Sequence, residues 1–116
     1  MNKKVFTGGQ VVLPDSVVTA SLVVEGEKIA GLLLPGIRLG SEYEEIDVSG
    51  KVLMPGVIDS HVHMWDPSPQ NYREDWRHGS QCAASGGITT IVDMPLSVPP
   101  VVNEEGFRIK HELASM

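Results

Sequence analysis

Met54-Pro-Gly-Val-Ile-Asp-Ser-His-Val-His-Met64 is the stretch that decides the fold of this chain. Its Pro-Gly pair predicts a break in regular structure, and the apolar run that follows predicts a buried β-strand from Val57 to Val62. Side chains alternate faces along a strand, so His61 and His63 point the same way. Two imidazoles on one face, with Asp59 just before them, are typical of half of a zinc site. The alternative is a surface strand with two chance histidines.

The sequence after this stretch predicts a helix, a second strand and a second helix. Asn71 to Ser85 has little turn chemistry and ends at Gly86-Gly87, as helices often do. Ile88 to Asp93 is rich in β-branched residues and predicts a strand. Asn103 is a natural N-cap, and two glutamates follow it in a helix that continues to Ala114. This order predicts a parallel sheet and places the chain in the α/β class.

The first 54 residues follow a different pattern, in which short apolar runs are separated by glycine, proline and aspartate. Such runs are typical of hairpins and meanders. Gly26 lies between two of them, where a tight turn needs a residue that adopts positive φ. The predicted strands are Lys4 to Phe6, Gln10 to Leu13, Ala20 to Glu25, Lys28 to Leu34 and Glu44 to Val48.

Composition and charge bound the class of protein. With 41% hydrophobic and 21% charged residues, the 116-residue chain resembles an ordinary globular protein. Its formal charge of −6 argues against nucleic acid and anionic membranes as partners, and favours small molecules or proteins. The single cysteine, Cys82, fits a reducing cytoplasm, and we predict that its thiol is buried in the first helix. No stretch predicts a signal peptide or a membrane span.

Two motifs carry a resemblance to a known family. The first is Gly50-Lys-Val-Leu-Met-Pro-Gly-Val-Ile-Asp-Ser-His-Val-His63, and the second is Gly86-Gly-Ile-Thr-Thr-Ile-Val-Asp-Met-Pro95. In this order and at this distance they resemble the opening of the amidohydrolase superfamily. The resemblance is narrower still to its cyclic amidase branch, which contains allantoinases, dihydropyrimidinases or hydantoinases, and dihydroorotases. It covers most of the chain, including the N-terminal strands.

The resemblance implies a TIM barrel with a small β-sandwich. Residues 1–54 would be the N-terminal strands of the sandwich, and residues 55–116 the first two βα units of the barrel. Two such units do not make a closed fold, because parallel strands need covering on both faces. We therefore expect the N-terminal portion of a longer protein, inactive by itself. The full-length protein would be a homo-oligomer, with a tetramer implied by the family.

The resemblance also assigns chemistry to the two histidines. His61 and His63 match the first two ligands of a binuclear zinc centre, which activates water as hydroxide for attack on a ring amide. In family members, later strands supply a carboxylated lysine, two more histidines and an aspartate. We expect His78 and His111 to be solvated, because helices outside a barrel do not easily reach its mouth.

Three more side chains near the histidines each have two interpretations. Asp59 either orients His61 as a hydrogen-bond acceptor or bonds to the backbone at the strand end. Asp93 ends the second strand at the same mouth, where a structural role is favoured over a catalytic one. Trp65 is a candidate for the floor of a substrate pocket, or it covers the rim of the barrel. The sequence does not choose between the interpretations of Asp59 or of Trp65.

Local residues favour allantoin as the substrate. Dihydroorotases typically carry arginine two positions after the second histidine and asparagine after the Met-Pro, where this chain has Trp65 and Leu96. Dihydropyrimidinases usually lack the continuation Met94-Pro-Leu96. The chain departs from the allantoinase pattern at Asp66-Pro-Ser68 and at Ser97. We expect hydrolysis of allantoin to allantoate, a step of purine catabolism. The alternatives are hydantoinase or dihydroorotase activity and, in another class, a non-catalytic assembly protein.

Overall fold

The structure, a computed structural model, describes residues 2–116 of the chain. The chain divides into two compact units, Met1–Pro55 and Gly56–Met116, called here the N-terminal and the C-terminal unit. In the described residues the N-terminal unit contains seven β-strands, and the C-terminal unit contains two strands and two helices. This combination confirms the α/β class that the sequence predicts.

The strands of the N-terminal unit form two sheets. The larger sheet has the order β5-β4-β1-β6, and the smaller has the order β3-β2-β7. Each of the five predicted strands is confirmed to within one residue at its ends. The strands are β1 (Lys3–Thr7), β2 (Gln10–Val12), β3 (Val17–Thr19), β4 (Ser21–Glu25), β5 (Lys28–Leu33), β6 (Glu44–Asp47) and β7 (Val52–Leu53).

The β4–β5 hairpin has its predicted antiparallel pairing, and Gly26 adopts a φ of 63° in its turn. Two short strands, β3 and β7, escape prediction because three or two residues show no periodicity. The pairing of β1 with β6 and of β2 with β7 is parallel. Parallel neighbours that lie far apart in the chain are not part of a meander, and only the folded structure reveals them.

Apolar side chains from both sheets are buried in the N-terminal unit. Val5 on β1 lies directly opposite Val23 on β4, and Val11 on β2 is equally buried. Ala20 and Val48 complete this set of buried apolar residues. Burial of methyl groups from neighbouring strands is the main stabilising contribution that the sequence offers here.

The C-terminal unit has the order strand, helix, strand, helix. Its elements are β8 (Val57–Val62), α1 (Trp76–Ser85), β9 (Ile88–Asp93) and α2 (Glu104–Ala114). The strands β8 and β9 pair in parallel, which confirms the prediction of a parallel sheet. The first helix is five residues shorter than the predicted Asn71 to Ser85, because the chain from Asn71 to Arg73 forms turns instead.

The start of α1 is set by a capping residue that the sequence prediction overlooked. Asp75 has extended backbone, and its Oδ1 accepts the backbone N–H of His78 at 2.6 Å. This hydrogen bond, followed in importance by the one from the His78 ring, holds the pKa of the Asp75 carboxyl below its ordinary value. Asp75 is therefore the N-cap, and the helix begins at Trp76.

The other helix ends are as predicted. Gly86 and Gly87 close α1, and Gly87 has a φ of 84°. Asn103 caps α2, since its Oδ1 accepts the backbone N–H of Gly106 at 2.9 Å. The capping amides and glycines satisfy backbone groups that have no partner inside a helix.

The strand β8 is less buried than its apolar sequence predicts. Ile58 is 65% exposed, and Val57 and Val92 are also exposed. Within residues 2–116, β8 pairs with β9 alone, and the other elements leave apolar side chains on the faces of this two-stranded sheet exposed. Cys82 is exposed as well, so the prediction of a buried thiol is wrong. No helix formed by the described residues is long and apolar enough to cross a membrane.

Candidate metal site

The candidate site lies at the C-terminal end of β8. His61 is on the strand, and His63 comes directly after the strand ends at Val62. The two ring centroids are 5.2 Å apart, and the ring planes meet at 63°. The His61 ring is exposed, whereas His63 is half-buried. The two imidazoles thus lie close to each other, one more accessible to solvent than the other.

His63 has a buried nitrogen that lacks a partner. Its Nδ1 atom is inaccessible to solvent and makes no hydrogen bond to the described residues. Trp76 Nε1 is in the same situation, but an indole N–H only donates and cannot bind a cation. An imidazole nitrogen donates a hydrogen bond when it carries the proton, and without the proton it accepts one or binds a metal; leaving it unpaired costs free energy. Of the two buried atoms without a partner, the Nδ1 of His63 is therefore the one that points to a metal site.

Asp59 contacts the backbone of the first histidine. Its Oδ1 atom accepts the backbone N–H of His61 at 3.1 Å, which is the strand-end contact considered from the sequence. The contact holds the backbone at the point from which the His61 side chain projects.

Trp65 packs on the second histidine. The rings of Trp65 and His63 are stacked, with centroids 5.7 Å apart and planes 21° apart. The guanidinium of Arg73 lies 5.7 Å from the centroid of the Trp65 ring, a cation–π distance. The backbone N–H of Trp65 also donates to the carbonyl of Glu74 at 3.0 Å. These contacts place the indole beside the candidate ligand, and Arg73 is a neighbour that the sequence did not single out.

Asp93 and Lys110 form a buried ion pair beside the backbone of Met64, the residue that follows His63. Asp93 Oδ1 accepts the backbone N–H of Met64 at 2.7 Å, and Asp93 Oδ2 lies 2.5 Å from Lys110 Nζ. Asp93 therefore has a structural contact, in line with the role favoured from the sequence. The sequence analysis did not single out Lys110. The one signal in the sequence is that this charged residue lies between Ile109 and Leu113, which are the partly buried residues of α2.

The remaining histidines lie elsewhere. His78 is exposed, with its Nδ1 2.7 Å from a carboxylate oxygen of Asp75, and His111 is exposed beside Phe107. Residues 2–116 contain no cluster of three or more His, Cys, Asp or Glu side chains that could hold one metal ion. Zinc usually takes three or four protein ligands. The histidine pair thus fits two positions of a metal site, and the described residues supply no third.

Known proteins resemble this chain over most of its length. The model of the amidohydrolase family matches residues 52–107. An allantoinase from Escherichia coli O139:H28 is 34% identical over 111 residues, which are 95% of this chain and 24% of the allantoinase. A dihydroorotase from Methanothermobacter thermautotrophicus is 49% identical over 67 residues, which are 58% of this chain and 15% of the dihydroorotase. The chain belongs to the cyclic amidase branch of the amidohydrolase superfamily.

A solved structure supports the same assignment of this amidohydrolase chain. The L-hydantoinase (dihydropyrimidinase) from Arthrobacter aurescens superposes with a TM-score of 0.82 and 31% sequence identity. The superposition covers 98% of this chain and 25% of the hydantoinase. The amidohydrolase chain therefore spans about a quarter of the length of the hydantoinase and of the allantoinase. Members of the amidohydrolase family generally use metal ions, which agrees with a paired-histidine site.

Proposed function

We propose that this chain supplies the first two metal ligands of an enzyme that hydrolyses a ring amide. The observation that carries the proposal is the pair of His61 and His63, with rings 5.2 Å apart and a buried, unpartnered nitrogen on His63. In this proposal residues 55–116 are the first two βα units of a TIM barrel, and residues 1–54 are the N-terminal strands of a small β-sandwich. The relatives are about four times as long, so later strands would add the other ligands.

Each residue of the site has a stated part in this proposal. His61 and His63 hold zinc through neutral imidazoles, and Asp59 holds the backbone of His61. Trp65 covers one side of the His63 ring, which makes it a candidate for contact with the substrate. Bound divalent zinc, two ions in the complete site, would polarise the amide carbonyl and lower the pKa of water towards neutrality.

Allantoin is the substrate that we favour. Trp65 and Leu96 stand where dihydroorotases typically carry the residues for a substrate carboxylate, and the similarity to the allantoinase extends over 95% of the chain. Dihydroorotate is the second candidate, because the dihydroorotase has the higher local identity, 49%. A hydantoin is the third, supported by the superposition on the hydantoinase. We also propose a homo-oligomer for the full-length protein and, from its single cysteine, a reducing compartment such as the cytoplasm.

Zinc titration of the chain tests the metal site. We expect weak binding that a chelator reverses, because two imidazoles are fewer ligands than zinc prefers. The variants His61→Ala and His63→Ala should each lose binding by at least about tenfold, since a single imidazole holds zinc poorly. His78→Ala is the matched control, an exposed histidine whose loss should leave the affinity unchanged. Equal zinc affinity of His63→Ala and the unaltered chain would contradict the proposal.

Substrate turnover tests the reaction. The complete polypeptide encoded by the reading frame that holds this sequence is assayed with allantoin, hydantoin and dihydroorotate. We expect the highest kcat/KM with allantoin and its loss in His61→Ala. The highest value with dihydroorotate would select the second candidate. Zinc binding without hydrolysis of any of the three rings would favour a non-catalytic assembly protein.

A further inference from the structure

We propose that Lys110, on α2, is a positioning residue that acts through Asp93 to hold His63 in place for metal binding. The inference rests on the proposed function, since it concerns the same histidine pair. Lys110 does not touch the imidazoles. Its effect passes through the ends of the two parallel strands.

Asp93 contacts the chain directly after His63. Asp93 Oδ1 accepts the backbone N–H of Met64 at 2.7 Å, so it holds the peptide group that joins His63 to Met64. On the other side of His63, the carbonyl of Val62 accepts the backbone N–H of Met94 at 2.9 Å. His63 is therefore held between two hydrogen bonds that both come from the end of β9.

Lys110 in turn contacts the end of β9. Lys110 Nζ lies 2.5 Å from Asp93 Oδ2 and also donates to the carbonyl of Met94 at 3.2 Å. The ammonium thus binds both residues that hold His63 from the two sides. Removing it would free the carboxylate of Asp93 and the backbone of Met94 together, which would loosen both contacts.

The ion pair of Lys110 and Asp93 is buried. The side chains of Lys110 and Asp93 are only 8% and 11% exposed. Charged side chains are rarely buried unless paired, and an apolar pair of similar size often stabilises a fold equally well. An apolar pair, however, could neither accept the N–H of Met64 nor donate to Met94. Positioning of the strand ends is therefore the property that the charged pair adds.

The side chain of Met64 is held as well as its backbone. It is 3% exposed and packs on Gly79 of α1, where an added Cβ atom would come within 2.5 Å of its sulfur. The residue directly after His63 thus has its N–H fixed by β9 and its side chain fixed by α1. Ligands that are oriented by such supporting contacts bind metals more tightly than free ones.

Zinc titration of variants, together with amide hydrogen exchange by NMR, tests this proposal. Lys110→Met should raise the zinc dissociation constant about tenfold and speed exchange at the Met64 amide. Lys110→Arg keeps a cation and should recover much of the affinity. Arg108→Met is the matched control on the same helix, since among the described residues Arg108 forms ion pairs with the exposed side chains of Glu105 and Glu112 and with no other carboxylate. It should change neither quantity.

A double variant distinguishes loss of positioning from loss of folding. Asp93→Leu combined with Lys110→Met removes both buried charges, so the fold should survive, but the N–H of Met64 loses its acceptor. We expect zinc binding as weak as that of Lys110→Met in a folded chain. Unchanged zinc affinity in this folded double variant would overturn the positioning role and leave the proposed function intact. Absence of zinc binding by the unaltered chain would overturn both.

Discussion

Each of the two units of this amidohydrolase chain is stabilised internally by a different kind of contact. In the described residues of the N-terminal unit five apolar side chains are buried, on the two sheets or directly beside their strands, namely Val5, Val11, Ala20, Val23 and Val48. Among the described residues of the C-terminal unit, Met64 is the one buried apolar residue larger than glycine, and the charged Lys110 is buried as well. The candidate site thus belongs to the unit with fewer apolar contacts, and its geometry depends on hydrogen bonds and an ion pair.

This difference has a physical reason. Apolar burial is non-directional, so it stabilises a sheet without fixing the exact position and orientation of any one side chain. Hydrogen bonds have preferred distances and angles, and they fix the ends of β8 and β9 to each other. A side chain that is proposed to bind a metal, such as His63, needs the second kind of contact.

The largest expected difference in stability between the two units comes from shortening one apolar side chain in a strand of each. Val23→Ala should lower the free energy of unfolding by about 2 kcal/mol, because it leaves a cavity in a buried position. Ile58→Ala removes more atoms from β8 but should change stability by no more than about 0.5 kcal/mol, because Ile58 is 65% exposed. Urea unfolding monitored in each unit measures both. Equal losses would show that β8 is covered as well as β4.

A smaller effect is expected from adding a Cβ atom at one glycine of each unit. In Gly106→Ala the new atom would lie 2.7 Å from the carbonyl oxygen of Pro100, a backbone atom that cannot easily move. We expect a loss of about 1 kcal/mol after the gain in helix propensity. Gly31→Ala on β5 meets no atom within 4 Å and should stabilise by about 0.5 kcal/mol. Thermal or urea unfolding that reversed this order would contradict the packing described for α2.

The smallest effect concerns two carboxylates, Asp47 in the N-terminal unit and Asp75 in the C-terminal unit. Both have a pKa lowered from the ordinary 3.8, Asp47 mainly by the Ser49 hydroxyl and Asp75 mainly by the backbone N–H of His78. A lowered pKa in the fold means that each carboxylate contributes stability above about pH 3.8, and that this contribution is lost as the pH falls through the folded pKa.

Substitution should separate the two causes. Ser49→Ala should raise the pKa of Asp47 towards its ordinary value, because it removes the largest cause and leaves only the backbone N–H of Ser49 as a donor from that residue. His78→Ala keeps the backbone N–H and should restore the pKa of Asp75 only in part. NMR titration of the two carboxyl carbons measures both shifts. A full return for Asp75 would mean that the imidazole, rather than the helix cap, lowers its pKa.

Much of the fold follows from local chemistry. The hairpin at Gly26 and the caps at Asn103 and Gly87 are set by a few neighbouring residues, so each could be predicted. The start of α1 differs from the predicted one although Asp75 is a standard N-cap residue, because the segment from Asn71 to Arg73 lacks glycine and proline and yet forms turns. The apolar run of β8 predicts a buried strand, whereas the presence of only two βα units predicts that its faces lack cover. The exposure of Ile58 agrees with the second expectation.

The sequence by itself determined the spacing of His61 and His63, the family motifs around them and the parallel order of β8 and β9. These depend on the two-residue period of a strand and on short segments, so they can be recognised without the fold. Only the tertiary structure decided that Asp93 meets both Met64 and Lys110, because these contacts join residues 17 to 29 positions apart. It also decided which imidazole nitrogen is buried without a partner. Such contacts depend on how strands and helices pack, and no local pattern of residues records that.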